Sequence, residues 1–187
     1  MALRMKTRFR GKGPKTIEDR AGVIAYNIWK VSQETVKHME KEGFKFASDQ
    51  QLAGVMTEVI AFLVQIADRM VYGQISEEER GRFVNALGRD LANHMTSNLE
   101  DILGAGDHKT GFIATLNARF ADYAEWDFDR ASGPSYGFLR YLGDKVAEVM
   151  AATESKWVVE HVMEIEAPEA VKAIRKLVHE VLGVKAV

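Results

Sequence analysis

The stretch from Ser48 to Tyr72 constrains the fold more than any other part of the sequence. Its apolar side chains recur every three or four residues, the spacing of one helix face, for about five turns. They are Leu52, Val55, Met56, Val59, Ile60, Leu63, Ile66, Ala67 and Met70. Ser48 and Gln51 have the spacing of a capping box at its start. The pattern predicts a long helix with neighbours on more than one side.

The same stretch is too polar to be read as a membrane span. A span requires about 20 largely apolar residues, and polar or charged side chains interrupt this run. They are Glu58, Gln65, Asp68 and Arg69. We therefore expect a buried central helix whose acids lie off the apolar face, and no membrane-spanning segment.

Other segments with helical periodicity flank this central helix. They cover residues 16–42, 76–104, 110–128, 134–164 and 168–183. The short links between the first three helices favour antiparallel neighbours. The chain has only three prolines and no run of alternating strand residues, which also favours helices. The predicted fold is all-α: an antiparallel helical bundle of about six helices, in a single domain over residues 16–187.

Residues 1–15 form a basic arm that differs in composition from the rest of the chain. The arm contains no acid, and its cations are Arg4, Lys6, Arg8, Arg10, Lys12 and Lys15. The whole chain has a net charge of −2, so the remainder is acidic. Such an arm can release counterions on binding phosphates, but the acidic body would repel a duplex. Nucleic-acid binding is therefore our third hypothesis.

Composition narrows the class of protein without naming a function. The sequence has no cysteine, which excludes disulfides, thiolate metal sites and a cysteine nucleophile. Its hydrophobic content of 47% and charged content of 28% are those of a globular protein. No apolar segment follows the basic N-terminus, so we expect a cytoplasmic protein without a signal peptide.

Two histidine–carboxylate pairs are the best candidates for a metal site. Glu34 and His38 are four residues apart on the first predicted helix, and Asp90 and His94 are four apart on the third. This spacing places both members of a pair on one helix face. Carboxylates and imidazoles on facing helices are the usual ingredients of metal sites in bundles.

A simpler interpretation of these pairs stays open. Di-iron carboxylate bundles use a Glu-x-x-His motif, and this sequence contains none. Two ion pairs, each within one helix, explain the same spacing. His161 and His179, each next to a glutamate, are interpreted as solvated residues.

The glycine-rich segment from Gly104 to Gly111 is not a phosphate-binding loop. Such a loop requires Gly-x-x-x-x-Gly-Lys-Ser/Thr after a strand. Here His108 precedes Lys109, and a predicted helix precedes the segment. We interpret it as a connector in which Asp107 or Thr110 caps the next helix.

No catalytic or cofactor motif is present, so the sequence does not determine a function. The leading hypothesis is a non-enzymatic helical protein that acts through protein–protein contacts as a homodimer, because bundle helices offer self-complementary faces. The alternative is a bundle that binds a ligand or metal at Asp90 and His94, with Glu34 and His38 as partners. The aromatic residues around 130–137 are interpreted as a satellite core, or else as a partner-binding patch.

Overall fold

The structure is a computed structural model that describes residues 15–151 and 155–184. The predicted basic arm, apart from Lys15, lies outside the described residues. The helices are α1 (Ile17–Lys41), α2 (Asp49–Val71), α3 (Glu77–Leu103), α4 (His108–Tyr123), α5 (Tyr136–Met150), α6 (Ser155–His161) and α7 (Ala167–Leu182). A π-helical turn, Val162–Glu166, joins α6 to α7, and two short strands, β1 (Phe128–Asp129) and β2 (Gly133–Pro134), pair antiparallel.

The all-α prediction is confirmed, because 80% of the described residues are helical and the only sheet among them is this two-stranded hairpin. If α6, the π-helical turn and α7 are counted as one interrupted helix, the described chain has the six helices expected from the sequence. One buried cluster contains residues from every helix.

Two predicted helix boundaries are wrong. The fourth helix ends at Tyr123, not near Phe128, because residues 128–134 form the hairpin with Gly133 at a φ of 96°. The fifth helix ends at Met150 and not near Glu164, because Ala151 adopts the left-handed conformation with a φ of 47°. Periodicity continues across this break, since α6 again turns apolar side chains towards the core.

The helix starts follow the capping chemistry of the sequence. Thr16 and Ser76 form capping boxes with the residues three positions on, and each side chain satisfies an amide that the helix leaves unpaired. The capping box predicted at Ser48 is only half formed: Ser48 Oγ accepts from the backbone amide of Gln51, but the Gln51 side-chain oxygen accepts from the Ala47 amide. Asp107 accepts from the Thr110 amide and caps α4, as expected for a connector rather than a phosphate loop.

Helix α2 lies at the centre of the bundle and contacts α1, α3, α4, α5 and α7. It is long and apolar enough to pass a length-and-composition test for a membrane span, and 67% of its most apolar window is buried inside the protein. That burial is typical of the core helix of a bundle. The wide apolar face of the sequence therefore corresponds to neighbours on several sides.

The expectation that the acids of α2 lie away from the core is wrong. Glu58 and Asp68 are both buried, and so is the neutral Gln65, because helices surround α2 and leave little of it facing solvent. Asp68 accepts two hydrogen bonds of 2.7 Å from Arg80 of α3. Glu58 accepts bonds of 2.7 and 2.8 Å from Arg119 of α4. Each buried acid thus joins α2 to a neighbouring helix.

Two of the aromatic residues near the hairpin, Tyr123 and Phe138, belong to the main core, whereas Trp126 and Tyr136 are exposed. The rings of Tyr123 and Phe138 stack with centroids 4.5 Å apart. Phe62 of α2 lies 6.0 Å from Tyr123 and 5.7 Å from Phe138. These contacts connect the hairpin end of α4 and α5 to the central helix.

Helix α6 packs against α5, and its last residue, His161, lies beside the C-terminal end of α1, with its ring centroid 4.8 Å from that of Phe44. Gly143 of α5 permits the close approach of α5 and α6, since a Cβ there would lie 3.1 Å from the Val159 carbonyl oxygen of α6. The π-helical turn that follows α6 ends at Glu166, next to His38 of α1.

Candidate metal centre

The two metal ligands predicted on the first helix, Glu34 and His38, do not contact each other in the structure. The carboxylate of Glu34 is exposed and lies 3.0 Å from the Lys37 ammonium. His38 points instead to Glu166 at the end of the π-helical turn, with 2.7 Å between Nδ1 and Oε1. The expected pairing of Glu34 with His38 is therefore not formed.

The two metal ligands predicted on the third helix, Asp90 and His94, lie apart from His38. His94 is half-buried with its ring 6.1 Å from the ring of Trp29 on α1. Trp29 and His38 are separated by nine residues, or about 13.5 Å along a helix. Asp90 lies 3.6 Å from Arg89. The structure therefore does not gather Glu34, His38, Asp90 and His94 into one site.

The position of His94 leads to a prediction about stability and pH. Burial lowers the pKa of His94, and the charge of Asp90 partly opposes this. The unfolded chain, with a pKa near 6.5, therefore binds a proton first as the pH falls. The stability that neutral His94 confers is complete above about pH 6.5 and is lost as the pH falls through the folded pKa.

Urea unfolding at several pH values from 7.5 to 5 tests this. On acidification, the free energy of unfolding should fall less in His94→Leu than in wild type. The difference between the two proteins should stay below about 1.4 kcal/mol per pH unit, the limit for one proton. His179→Leu, at an exposed position on α7, is the control and should follow wild type. Parallel curves for wild type and His94→Leu would contradict the prediction.

One group of histidine and acidic side chains in the described part of the chain has the spacing of a metal site. It consists of His38, His161 and Glu166, whose potential ligand atoms all lie within 4.8 Å of one another. Oε1 of Glu166 is 2.7 Å from Nδ1 of His38 and 2.8 Å from Nε2 of His161. Two imidazoles therefore share one carboxylate oxygen.

This cluster is buried on one side and open on the other. The side chains of Glu166 and His161 are each 5% exposed, whereas that of His38 is 41% exposed. The Phe44 ring covers His161 with centroids 4.8 Å apart. A cation would thus reach the buried carboxylate past His38.

The π-helical turn places two of the three residues together. His161 and Glu166 are five residues apart, which in a regular α-helix of 3.6 residues per turn separates them by about 140°. A π-helical turn has i→i+5 hydrogen bonds, so residues five apart lie nearly above one another. His161 directly precedes this turn and Glu166 ends it. π-Helical turns inside α-helices are frequent at functional sites.

The C-terminal turn of α1 positions the third residue. Gly43, with a φ of 94°, ends the helix, and the amides of Gly43 and Phe44 donate to the carbonyls of Glu40 and Met39. These bonds form a Schellman motif. The motif fixes the turn that carries His38 and folds Phe44 back onto His161.

The electrostatics of the cluster favour positive charge at His38. The hydrogen bond to Glu166 raises the pKa of His38, and so does the carboxylate charge. The charges of Glu42 and Glu169 add to this, while burial opposes it. Three carboxylates therefore contribute negative potential at one imidazole.

The donor set also fits a divalent transition metal. Zinc binds imidazole nitrogen and carboxylate oxygen at about 2.0–2.2 Å, which places the ligand atoms of a tetrahedral site about 3.4 Å apart. The two nitrogen–oxygen distances in the cluster are about 0.6–0.7 Å shorter, because each holds a hydrogen bond. A metal would replace those two hydrogens, and the half-exposed His38 ring has room to move.

Sequence reasoning found only one member of this cluster. A four-residue spacing between carboxylate and histidine predicts His38 as a ligand but gives it Glu34 as a partner. The sequence neighbours of His161 suggest a solvated residue, although it lies between buried Val159 and Val162. The available signal was the apolar pattern around His161, which places its side chain towards the core.

Comparison with protein-family models, with curated proteins and with solved structures gives no significant match to this chain. The cluster of His38, His161 and Glu166 is therefore interpreted from its own geometry.

Proposed function

We propose that this protein is a helical bundle that binds one divalent transition metal ion through His38, His161 and Glu166. The observation that carries the proposal is the convergence of two imidazole nitrogens on one buried carboxylate oxygen, at 2.7 and 2.8 Å. A buried carboxylate carries a large desolvation cost unless it is paired or coordinates a metal. Two histidines and one carboxylate are a ligand set of zinc and non-haem iron(II) sites.

The proposal keeps the hypothesis of a metal site in the helical bundle but places that site at different residues. His38 stays, while Asp90, His94 and Glu34 are replaced by His161 and Glu166. Three protein ligands would leave at least one coordination position for water or a small molecule, as in catalytic rather than structural zinc sites. We propose metal binding and assign no reaction to it. Homodimerisation, action through protein contacts, binding through the basic arm and a cytoplasmic location stay predictions.

Metal titration of the chelator-treated, full-length protein tests the proposal. Zn²⁺ and Co²⁺ should each bind with 1:1 stoichiometry, measured by calorimetry and, for Co²⁺, by visible absorption. His38→Gln and Glu166→Gln should each weaken Zn²⁺ binding more than about 100-fold, beyond the 10–100-fold that changes outside the ligand shell cost. The reason is that each variant loses one of three ligands.

His179→Gln is the matched control, because it removes an exposed histidine from α7 and should leave Zn²⁺ affinity unchanged. Circular dichroism confirms that each variant stays helical. A His–Glu–His network that serves only to neutralise a buried carboxylate makes the opposite prediction. In that case wild type shows no saturable 1:1 binding, or both ligand variants bind as wild type does, and the proposal fails.

A further inference from the structure

The imidazole of His38 lies between two carboxylates. Its Nδ1 faces Oε1 of Glu166 at 2.7 Å, and its Nε2 faces Oε1 of Glu42 at 3.8 Å. Glu42 follows His38 by four residues, so both side chains lie on the same face of the last turn of α1. The two ring nitrogens thus have different environments: one faces the buried cluster and the other faces an exposed acid.

We infer that Glu42 is a positioning residue of the metal centre, which holds a proton on Nε2 of His38 and so presents Nδ1 to the metal. This inference rests on the metal-binding function proposed above. A histidine that ligates a metal through one ring nitrogen usually donates its other N–H to a carboxylate, carbonyl or water. That second partner fixes the ring orientation and makes the ligating nitrogen more basic.

The geometry assigns Glu42 this role rather than that of a fourth ligand. A metal bound between Nδ1 of His38, His161 and Glu166 lies on the buried side of the ring. Glu42 lies on the Nε2 side, across the ring from that position. The 3.8 Å separation is longer than a hydrogen bond, but the Glu42 side chain is 52% exposed and free to approach when the ring moves onto the metal.

The helix dipole does not favour an acid at this position. Glu42 is the C-cap residue of α1, where the helix dipole disfavours negative charge. Its backbone is nevertheless held in a defined place, because its amide donates to the His38 carbonyl at 3.0 Å and the Schellman turn follows at once. The carboxylate of Glu42 is therefore displayed beside His38 by a rigid turn.

A comparison of Glu42→Ala with Glu40→Ala tests the inference. Both variants remove an exposed acid from the same turn, so both relieve the same unfavourable dipole interaction. Glu42→Ala should bind Zn²⁺ about 10–100-fold more weakly than wild type, the usual cost of losing an outer carboxylate. Glu40→Ala should bind as wild type does. Glu42→Gln, whose amide oxygen still accepts from Nε2–H, should recover part of the loss.

Nuclear magnetic resonance of the zinc-loaded protein supplies a readout that a purely structural role would not change. Long-range nitrogen–proton correlations should show His38 protonated at Nε2 and metal-bound at Nδ1 in wild type. Zinc bound through Nε2, or equal affinities of wild type and Glu42→Ala, would overturn the inference while leaving the metal centre intact. Failure of wild type to bind zinc would overturn both.

Discussion

Replacing Arg119 by methionine is expected to lower the free energy of unfolding by about 3–5 kcal/mol. The guanidinium of Arg119 donates to both oxygens of Glu58, at 2.7 and 2.8 Å. The Glu58 side chain is only 5% exposed, so the variant leaves a buried carboxylate without its charged partner. Arg119 also bonds Asp122 at 3.2 Å, and Tyr141 donates to that carboxylate as well. Urea denaturation monitored by circular dichroism measures the change.

The chain contains a matched control for this buried pair. Arg82 donates to both oxygens of Glu18 at 2.7 and 2.9 Å, but these side chains are 51% and 34% exposed. Arg82→Met should therefore cost no more than about 1 kcal/mol. The double variant Glu58→Leu with Arg119→Met should recover most of the loss, because it removes both buried charges. Equal costs for the two single arginine variants would show that burial does not decide the effect.

Replacing Phe62 by alanine is the second large effect we expect, again about 3–5 kcal/mol of unfolding free energy. Phe62 is fully buried on α2, and its ring contacts Tyr123 and Phe138. The substitution removes apolar contacts and leaves a cavity where three helices meet. Urea denaturation should show a lower midpoint with an unchanged slope.

A second aromatic residue provides a control that distinguishes the effect of burial on stability from the effect of residue type. Trp157 of α6 is larger than Phe62 but 60% exposed, so Trp157→Ala should change stability by only about 0.5 kcal/mol. The loss of stability in Phe62→Leu should lie between those of Phe62→Ala and Trp157→Ala, since leucine keeps most of the apolar volume. Similar costs for Phe62→Ala and Trp157→Ala would contradict the assignment of Phe62 to the core.

These two predictions concern the same helix, and they show where sequence reasoning succeeded and where it failed. The apolar periodicity of residues 48–72 correctly predicted a buried central helix containing Phe62. It did not predict that Glu58 and Asp68 would be buried as well. An amphipathic pattern describes which side chains share a face, but the number of neighbouring helices decides whether the opposite face meets water. For α2, helices on several sides remove that solvent face.

The metal centre shows the same limit more clearly. His38 was selected from the sequence because a carboxylate lies four residues before it. Its actual partner, Glu166, is distant in sequence and ends the π-helical turn that precedes α7. No local spacing rule connects such residues, since their proximity depends on how α1 packs against α7. The i→i+5 geometry of the π-helical turn adds a second obstacle, because standard helical spacing places His161 and Glu166 on different faces.

The sequence by itself determined the all-α class, the approximate number of helices, the central position of α2 and the capping role of Ser48 at its start. These properties follow from local chemistry: apolar spacing along one helix face and hydrogen bonds over three residues. Only the tertiary structure decided which acids are buried, which arginines pair with them, and that His38 meets His161 and Glu166. The physical reason is that burial and long-range pairing arise from helix packing, which no single segment of the chain encodes.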